Sequence, residues 1–337
     1  MDKLNNLNIL RLLFASTVII SHSYPLTNNE EIFKKITNYQ IDLGSLSVDI
    51  FFIISGYLIF ISLNYSKTIF SYMWKRILRI FPALIIMLCL TMIILVFVSN
   101  SSNIFVQKDF YSYFINNLTL YRKQNQVEGI FENNPYPKAI NGSLWTLKYE
   151  FSMYLAIVPF YWIKNKKYSL PILTIFFIIF SYLHLFNPHT FKNIFSISNL
   201  SSEQFYRLGK YFLAGSILTF INIDKIKNNM SIILLISILI LSIYFNTYKY
   251  SSFLILPLTI IIIGFSFNKL LWRFTEKIGD LSYGIYIYGF LVQQVLMNYF
   301  EFKPLELMIY SLGITFGLAF LSWHLVENKA LKYKNYI

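Results

Sequence analysis

The chain has 337 residues, of which 56% are hydrophobic and only 13% are charged. An average soluble domain carries about 25% charged residues, so this chain lacks the polar side chains that a water-facing surface needs. The formal net charge is +13. However, lysines and arginines collect between apolar segments, a pattern typical of membrane topology signals rather than of nucleic-acid binding. The single cysteine, Cys89, excludes a disulfide framework and a cysteine-based metal site, and we predict no metal centre.

Ten segments are long and apolar enough to cross a membrane, which requires about 20 residues for each helix. We therefore predict an all-α, polytopic membrane protein that forms one domain over residues 1–337. The segment at 205–222 is the weakest of the ten, because Arg207 and Lys210 lie in its first turns. The predicted spans are 7–24, 44–63, 78–98, 143–163, 168–186, 205–222, 230–246, 251–267, 280–299 and 305–326.

The distribution of basic residues predicts the orientation in the membrane. Fifteen lysines and arginines lie in the short segments on the side of the two termini, and nine are spread over the longer segments on the other side. The positive-inside rule therefore places both termini in the cytoplasm. The longest outer segment, residues 99–142, is rich in Asn, Tyr and Phe. A loop of this length is usually functional or disordered.

Charged side chains inside a membrane are costly, so each one is a candidate functional residue. Arg11 and His22 are eleven residues apart in the first span, which places them on one helix face, about 16 Å apart along the axis. Asp49 and Glu150 lie roughly 8–10 Å below the outer boundary in two other spans. His22, Asp49 and Glu150 therefore share an outer level of the membrane.

A second, inner level is cationic. Arg76 and Arg79, at the start of the third span, share this level with Arg11. Guanidinium groups favour bidentate phosphate binding, whereas an imidazole beside carboxylates favours general-base catalysis. Plainer alternatives stay open. The arginines would then be interfacial anchors and His22 a helix-end histidine facing water. Asp49 and Glu150 would pair structurally with one another's helices.

Five short motifs follow one another along the predicted spans. They are Arg11 and His22 separated by ten residues, VDIFFIISGYL at 48–58, KRILRIFP at 75–82, WTLKYE at 145–150 and GDLSYGIY at 279–286. Together they resemble the acyltransferase-3 family of integral membrane O-acyltransferases, which modify bacterial surface glycans. The resemblance covers nearly the whole chain and implies a multi-pass protein of the bacterial cytoplasmic membrane.

The chain departs from the family pattern at several positions. Phe151 stands where a second Glu is common, and Gly289 and Leu291 stand where the late motif often continues to a His and a Pro. A second histidine therefore cannot share the catalysis at that site. Some relatives carry a fused extracytoplasmic domain, and we expect this chain to be the stand-alone form.

The resemblance implies transfer of an acyl group, most simply acetyl, from cytoplasmic acyl-CoA to a hydroxyl of an envelope glycan or lipid-linked saccharide. Acyl-CoA would be a substrate, and no permanently bound cofactor is expected. The implied roles are catalytic for His22, Asp49 and Glu150, donor-binding for Arg11, Arg76 and Arg79, and substrate-binding for Trp145, Ser143 and Tyr283.

Two other functions fit the same residues. A transporter would also use buried charges, although it needs no aligned Arg and His, and the sequence shows no inverted repeat. A scaffold that binds acyl-CoA or lipid through a degenerate site is suggested by Gly289 and Phe151. Turnover of acyl-CoA by the purified protein, with and without acceptor, distinguishes these functions.

Overall fold

A computed structural model describes residues 5–100, 103–163, 167–266 and 268–336. Lys3, Lys164 and Lys166, which contribute to the orientation argument, lie outside these ranges. Within the described ranges all regular secondary structure is helical, which confirms the all-α prediction. The α-helices are α1 Leu7–Ser23, α2 Ile32–Ile36, α3 Leu43–Tyr65, α4 Ile69–Val98, α5 Lys108–Leu118, α6 Leu147–Ala156, α7 Ser169–Phe186, α8 Lys192–Ile197, α9 Ser202–Leu218, α10 Asn229–Tyr244, α11 Tyr248–Phe265, α12 Lys269–Ile278, α13 Ser282–Tyr299, α14 Pro304–Ser322 and α15 Asn328–Leu331.

Six helical stretches in the described part of the chain are long and apolar enough to cross a membrane. Each coincides with one of the ten predicted spans, while the count of ten and the cytoplasmic termini stay predictions. The six stretches are Leu7–Thr27, Leu43–Tyr65, Ile69–Val98, Ser169–Phe186, Tyr248–Phe265 and Pro304–Lys334.

Two predicted spans have different boundaries in the structure. Helix α4 begins at Ile69, nine residues before the predicted start at 78, because the basic residues ahead of that start are good helix formers. Arg76 and Arg79 therefore lie inside the helix rather than at its first turn. The predicted span 143–163 is broken into the 3₁₀ segment Gly142–Thr146, helix α6 and the 3₁₀ segment Val158–Tyr161. Pro159 disfavours extension of α6 beyond Ala156, because its ring clashes with the carbonyl four residues earlier.

The chain divides into two compact units. The first unit contains residues 1–14, 33–73 and 149–277. Within it, α3 and α9 approach so closely that a Cβ on Gly56 would lie 1.9 Å from the carbonyl oxygen of Phe212. On the facing side, a Cβ on Gly215 would lie 2.0 Å from the carbonyl oxygen of Ile53. Small residues at such a crossing are the usual basis of helix packing in membranes.

The second unit contains residues 15–32, 74–148 and 278–337. Helix α13 is its centre and is buried along most of its length. Gly284 lies against Ala319 of α14, where an added Cβ would be 2.9 Å from the alanine Cβ. Because α13 is surrounded by protein, it carries buried glutamines that a lipid-facing helix would exclude.

Candidate active site

The turn of α1 that carries His22 is fastened to α13 by one amide. The Gln293 side chain donates to the backbone carbonyl of Ile19 and to Ser23 Oγ, both at 2.8 Å. The Ser23 hydroxyl donates to the same Ile19 carbonyl at 2.9 Å. Gln293 is fully buried, so water cannot substitute for these bonds. They fix the backbone on both sides of His22.

Position 289 lets α13 approach this turn. A Cβ added to Gly289 would lie 2.7 Å from Ile19 Cγ1. A larger residue would therefore push α13 away from α1. In this chain Ile19 fills the space beside Gly289, which gives a physical reason for the departure from the family motif there.

The imidazole of His22 contacts an aromatic ring of α13. The ring centroids of His22 and Phe290 are 5.2 Å apart and the planes are nearly perpendicular, at 82°. Phe290 is buried with Leu26, Met297 and Leu307 in an apolar cluster. His22 is half-buried, so one part of the imidazole faces this cluster.

The outer loop predicted at 99–142 is ordered over its described residues 99–100 and 103–142. In its first part, Gln124 accepts a hydrogen bond from Ser112 Oγ at 2.8 Å and donates to the backbone carbonyl of Asp109 at 2.8 Å. Burial, with the charge of Lys148 as a second cause, lowers the pKa of Lys123 to about 8. The described residues of this loop therefore have a defined structure, which argues against the disordered alternative.

The last part of the loop is tied to α13 by a second buried glutamine. Gln294 donates to the backbone carbonyls of Tyr136 and Ala139, at 2.9 and 2.6 Å, and accepts from Asn134 Nδ2 at 2.8 Å. Asn141 Nδ2 donates to the backbone carbonyl of Ile287 at 2.8 Å. The last part of the loop is therefore held along α13 up to the start of the WTLKYE motif.

The start of that motif is a buried 3₁₀ turn. Asn141 caps it by accepting from the backbone N–H of Ser143 at 3.1 Å. Ser143 is 1% exposed, and its Oγ has no hydrogen-bond partner among the described residues. Thr146 Oγ1 and the Tyr286 hydroxyl are 2.7 Å apart, which ties the turn to α13. Trp145, which lies between Ser143 and Thr146 in the sequence, is half-buried.

The structure brings two of the predicted binding residues together at α4. Arg79 forms an ion pair with Asp280 at 2.7 Å, and its guanidinium carbon lies 5.8 Å from the centre of the Tyr283 ring. The Tyr283 hydroxyl donates to the backbone carbonyl of Ile80 at 3.0 Å. Arg76 lies one turn earlier on α4 and is half-buried.

In the first unit, Asp49 is held by an arginine that the motifs did not single out. Arg207 on α9 contacts Asp49 Oδ1 through Nε at 3.1 Å and through Nη2 at 3.0 Å. It also donates to the backbone carbonyl of Ser45 at 3.0 Å. The ion-pair partner of Asp49 is therefore on α9, rather than on the helix that carries Glu150.

Glu150 lies in the first turn of α6 and accepts a hydrogen bond from the hydroxyl of Tyr154, one turn further along. Its neighbour Tyr149 accepts the backbone N–H of Ser201 at 2.9 Å. Arg11 is half-buried on α1, which is a continuous helix over Leu7–Ser23. Arg11 and His22 therefore lie on one helix, as predicted.

The predicted site residues are divided between the two units. His22, Arg76, Arg79, Ser143, Trp145 and Tyr283 belong to the second unit, and Arg11, Asp49 and Glu150 belong to the first. In the second unit the structure joins Arg79 with Tyr283. It also places His22 and the turn preceding Ser143 against the same ring, Phe290.

Several residues of these clusters were not assigned a functional role from the sequence. Lys210 is 2% exposed, and its ammonium group lies 3.0 Å from His184 Nδ1. Arg207 and Lys210 are three residues apart, and this spacing on one helix face was the available signal. No signal marked Phe290 or Gln293, and Asp280 was part of the GDLSYGIY motif without a role of its own, because the partners of all three are far away in the sequence.

This architecture defines a multi-pass helical membrane protein with candidate site residues in each unit. The sequence matches the profile of a family described as "Acyltransferase domain" over residues 4–325. The chain therefore belongs to the acyltransferase-3 family, which confirms the resemblance of its motifs.

Two relatives are similar over almost their full lengths. An "O-acetyl transferase" of Shigella phage Sf6 is 30% identical, and the alignment covers 98% of this chain and 97% of the relative. A "Nodulation protein 10" of Rhizobium leguminosarum bv. viciae is 27% identical, with 97% of this chain and 93% of the relative covered. No solved structure matches this chain significantly.

Proposed function

We propose that this protein transfers an acetyl group from cytoplasmic acetyl-CoA to a hydroxyl of an extracytoplasmic envelope glycan or lipid-linked saccharide. The observation that carries the proposal is His22, a histidine of the family motif held in a fixed turn of a membrane acyltransferase domain. The phage relative, named as an O-acetyl transferase and 30% identical over 98% of this chain, supports the acetyl group and the oxygen acceptor.

The reaction needs one proton acceptor and one leaving group. The hydroxyl oxygen of the glycan attacks the thioester carbonyl while neutral His22 takes the hydroxyl proton. The carbon–sulfur bond then breaks, and the CoA thiolate leaves with the proton from the imidazolium. The products are an acetyl ester and free CoA. General-base catalysis of this kind contributes about 10²–10⁴ in rate. An alternative route has two steps. A ring nitrogen of His22 attacks the thioester and the CoA thiolate leaves with the ring proton, and the glycan hydroxyl then attacks the acetyl-imidazole and returns a proton to the ring.

The donor phosphates are assigned to Arg11, Arg76 and Arg79. Guanidinium groups bind phosphate through paired N–H donors. Arg79 is held by Asp280 and lies over the Tyr283 ring, so its guanidinium plane is oriented before the donor binds. We assign Tyr283 to the donor end of the substrate site through this contact.

Asp49 and Glu150 are assigned to the histidine. Either carboxylate would orient the imidazole or stabilise its protonated form during transfer. Asp49 is buried against Arg207 and Glu150 accepts from Tyr154, so both side chains have fixed positions. A carboxylate that is already held loses little conformational entropy when it acts.

The acceptor is assigned to the extracytoplasmic side, at the end of the loop 99–142. Gln294 ties this part of the loop to α13, and the loop leads directly into Ser143 and Trp145. Aromatic faces such as Trp145 and hydroxyl groups such as Ser143 suit the apolar faces and the hydroxyls of a sugar ring. The charge distribution of the sequence supports this sidedness. It favours a protein of the bacterial inner membrane with both termini on the cytoplasmic side.

The first experiment compares envelope glycans by mass spectrometry in a strain with the gene deleted and restored. The expected result is an acetyl mass increment that disappears on deletion and returns with the wild-type gene. Glycans that are identical in the two strains would contradict the proposal.

A second experiment tests the sidedness with a cysteine at Asn133, an exposed loop residue. The variant Asn133→Cys is made in a Cys89→Ala background and treated with a membrane-impermeant thiol reagent. Labelling in intact spheroplasts is expected. Labelling only after lysis would reverse the proposed donor and acceptor sides.

A further inference from the structure

One residue of α13 touches both the imidazole of His22 and the end of the outer loop. We propose that Phe290 is a positioning residue that sets the plane of the His22 imidazole, and that Gly142 sets the place of Phe290. This inference rests on the proposed role of His22 as the general base. It adds to that role a contact with a residue that lies outside the five sequence motifs.

The first part of the argument is the geometry of the two rings. The centroids of His22 and Phe290 are 5.2 Å apart at an angle of 82°, which is a preferred edge-to-face arrangement for aromatic rings. An edge-to-face contact restricts rotation of the imidazole about its χ2 bond, because turning the ring loses the contact. Rotation about this bond moves the basic nitrogen relative to a bound hydroxyl.

The second part is what holds Phe290 from behind. A Cβ on Gly142 would lie 2.5, 2.8 and 2.9 Å from three carbons of the Phe290 ring. Real Cβ contacts are not that short, so the ring rests directly on the glycine backbone. The Tyr136 ring lies 6.2 Å from Phe290 at 80°, and Phe290 is only 6% exposed. The phenyl ring is therefore enclosed between the loop and the imidazole.

The third part of the argument is that Gln293 and Phe290, both on α13, contact different parts of the His22 turn. Gln293 fixes the backbone of the His22 turn through Ile19 and Ser23. Those bonds do not involve the side chain of His22. Phe290 supplies a restraint on the side chain. A general base needs both, since a displacement of about 1 Å can cost about 10²-fold in rate.

The test uses three variants. One displaces the Phe290 ring, one removes it, and one combines the two substitutions. Gly142→Ala adds the methyl group that the Phe290 ring cannot accommodate without moving by about 1 Å. Phe290→Leu removes the ring, and the double variant combines the two changes. Gly317→Ala is the matched control, because a Cβ at Gly317 meets no atom within 4 Å.

Three readouts are taken on full-length protein in native membranes of the deletion strain. The first is the rate of labelled acetyl transfer from acetyl-CoA to the endogenous glycan, normalised to protein abundance by immunoblot. The second is the apparent KM for acetyl-CoA. The third is the rate at which diethyl pyrocarbonate modifies His22, followed by mass spectrometry of the His22 peptide, which requires no catalysis.

We expect Gly142→Ala to reduce the transfer rate by about 10²-fold with an unchanged KM for acetyl-CoA. Phe290→Leu should reduce the rate by about tenfold and speed the modification of His22. The double variant should match Phe290→Leu, because the added methyl group then has no ring to displace. Gly317→Ala should behave as wild type in all three readouts.

Two results would overturn the inference. One is wild-type transfer and His22 modification in Gly142→Ala, and the other is a double variant as poor as Gly142→Ala alone. A changed modification rate with undiminished transfer has a different meaning. It would overturn the role of His22 as the base, and so the proposed mechanism, while the contact with Phe290 stands.

Discussion

The charged residues on α9 and the histidine on α1 are held by different kinds of group. Arg207 is held by the carboxylate of Asp49, and Lys210 by the imidazole of His184. The turn that carries His22 is held by an amide, Gln293, and the imidazole contacts a phenyl ring, Phe290. The difference teaches that one region depends on paired charges and the other on neutral contacts.

Charge is the reason for this difference. Removing one partner of a buried ion pair leaves the other charge without compensation, which costs about 3–5 kcal/mol. Neutral supports such as Gln293 hold a backbone in place without adding a charge beside the base. We therefore expect the α9 cluster to determine stability and the His22 turn to determine rate.

The largest expected effect is on catalysis. His22→Ala should reduce acetyl transfer by at least about 10²-fold, because a positioned general base contributes about 10²–10⁴. Membrane abundance and melting temperature should stay close to those of the wild type. The exposed His189 provides the control, and His189→Ala should transfer at the wild-type rate. Near-normal glycan acetylation by His22→Ala would remove the general base from the mechanism.

The next effect is on stability. Arg207→Ala leaves the buried carboxylate of Asp49 without its ion-pair partner, so we expect a loss of about 3–5 kcal/mol. The measurement is thermal unfolding in detergent, followed by fluorescence-detected size-exclusion chromatography.

Two variants sharpen this second prediction. Adding Asp49→Asn to Arg207→Ala should recover part of the stability, because the stranded charge is then absent. Lys210→Met should cost less than Arg207→Ala, since Lys210 makes no ion pair within the described residues. Equal losses in all three proteins would contradict a specific role for the Asp49–Arg207 pair.

A smaller effect is expected on donor binding. Arg79→Ala should raise the apparent KM for acetyl-CoA, since a charge-assisted hydrogen bond contributes about 1.5–3 kcal/mol. Arg79→Lys should recover only part, because an ammonium group cannot reproduce the guanidinium fork. Arg11→Ala should have the same direction of effect. An unchanged KM in both alanine variants would make these arginines interfacial anchors.

The smallest effect concerns pH and the loop 99–142. The pKa of Lys123 is lowered to about 8 by burial and by the nearby charge of Lys148. An unfolded lysine keeps a pKa near 10.4, so the unfolded state binds more protons between these values. Stability should therefore rise as the pH increases from about 8 to about 10.

Replacing Lys123 removes this contribution. Lys123→Met should raise the melting temperature at pH 7 by a few degrees at most and flatten its rise above pH 8. Thermal unfolding measured at several pH values tests this. A wild-type pH profile in Lys123→Met would assign the dependence to another group.

The sequence predicted those parts of the fold that lipid imposes. Six helical stretches, among them Leu43–Tyr65 and Ser169–Phe186, coincide with predicted spans, because hydrocarbon selects long apolar segments. Helices surrounded by protein follow different rules. Helix α13 carries the buried pair Gln293 and Gln294, and α9 carries Lys210. Both helices lie at predicted spans, but neither is among the six stretches long and apolar enough to cross a membrane.

For the candidate site residues, the helix that carries each residue was easier to predict than the residues it contacts. The spacing of Arg11 and His22 placed both on one helix, and α1 is continuous over Leu7–Ser23. Arg79 and Asp280 are 201 residues apart in the chain, and no local pattern indicates such a contact. The same is true of Gly142 and Phe290. The Phe290 ring lies against the backbone of a residue that has no side chain, and only the three-dimensional structure reveals this contact.

The central claim is that this protein makes an acetyl ester from acetyl-CoA rather than moving a substrate across the membrane. The most direct test incubates purified protein in liposomes with labelled acetyl-CoA and the envelope glycan fraction of the deletion strain. We expect one alkali-labile acetyl ester on the glycan for each CoA thiol released, with both products lost in His22→Ala. Transport of labelled material without thioester cleavage would contradict the account.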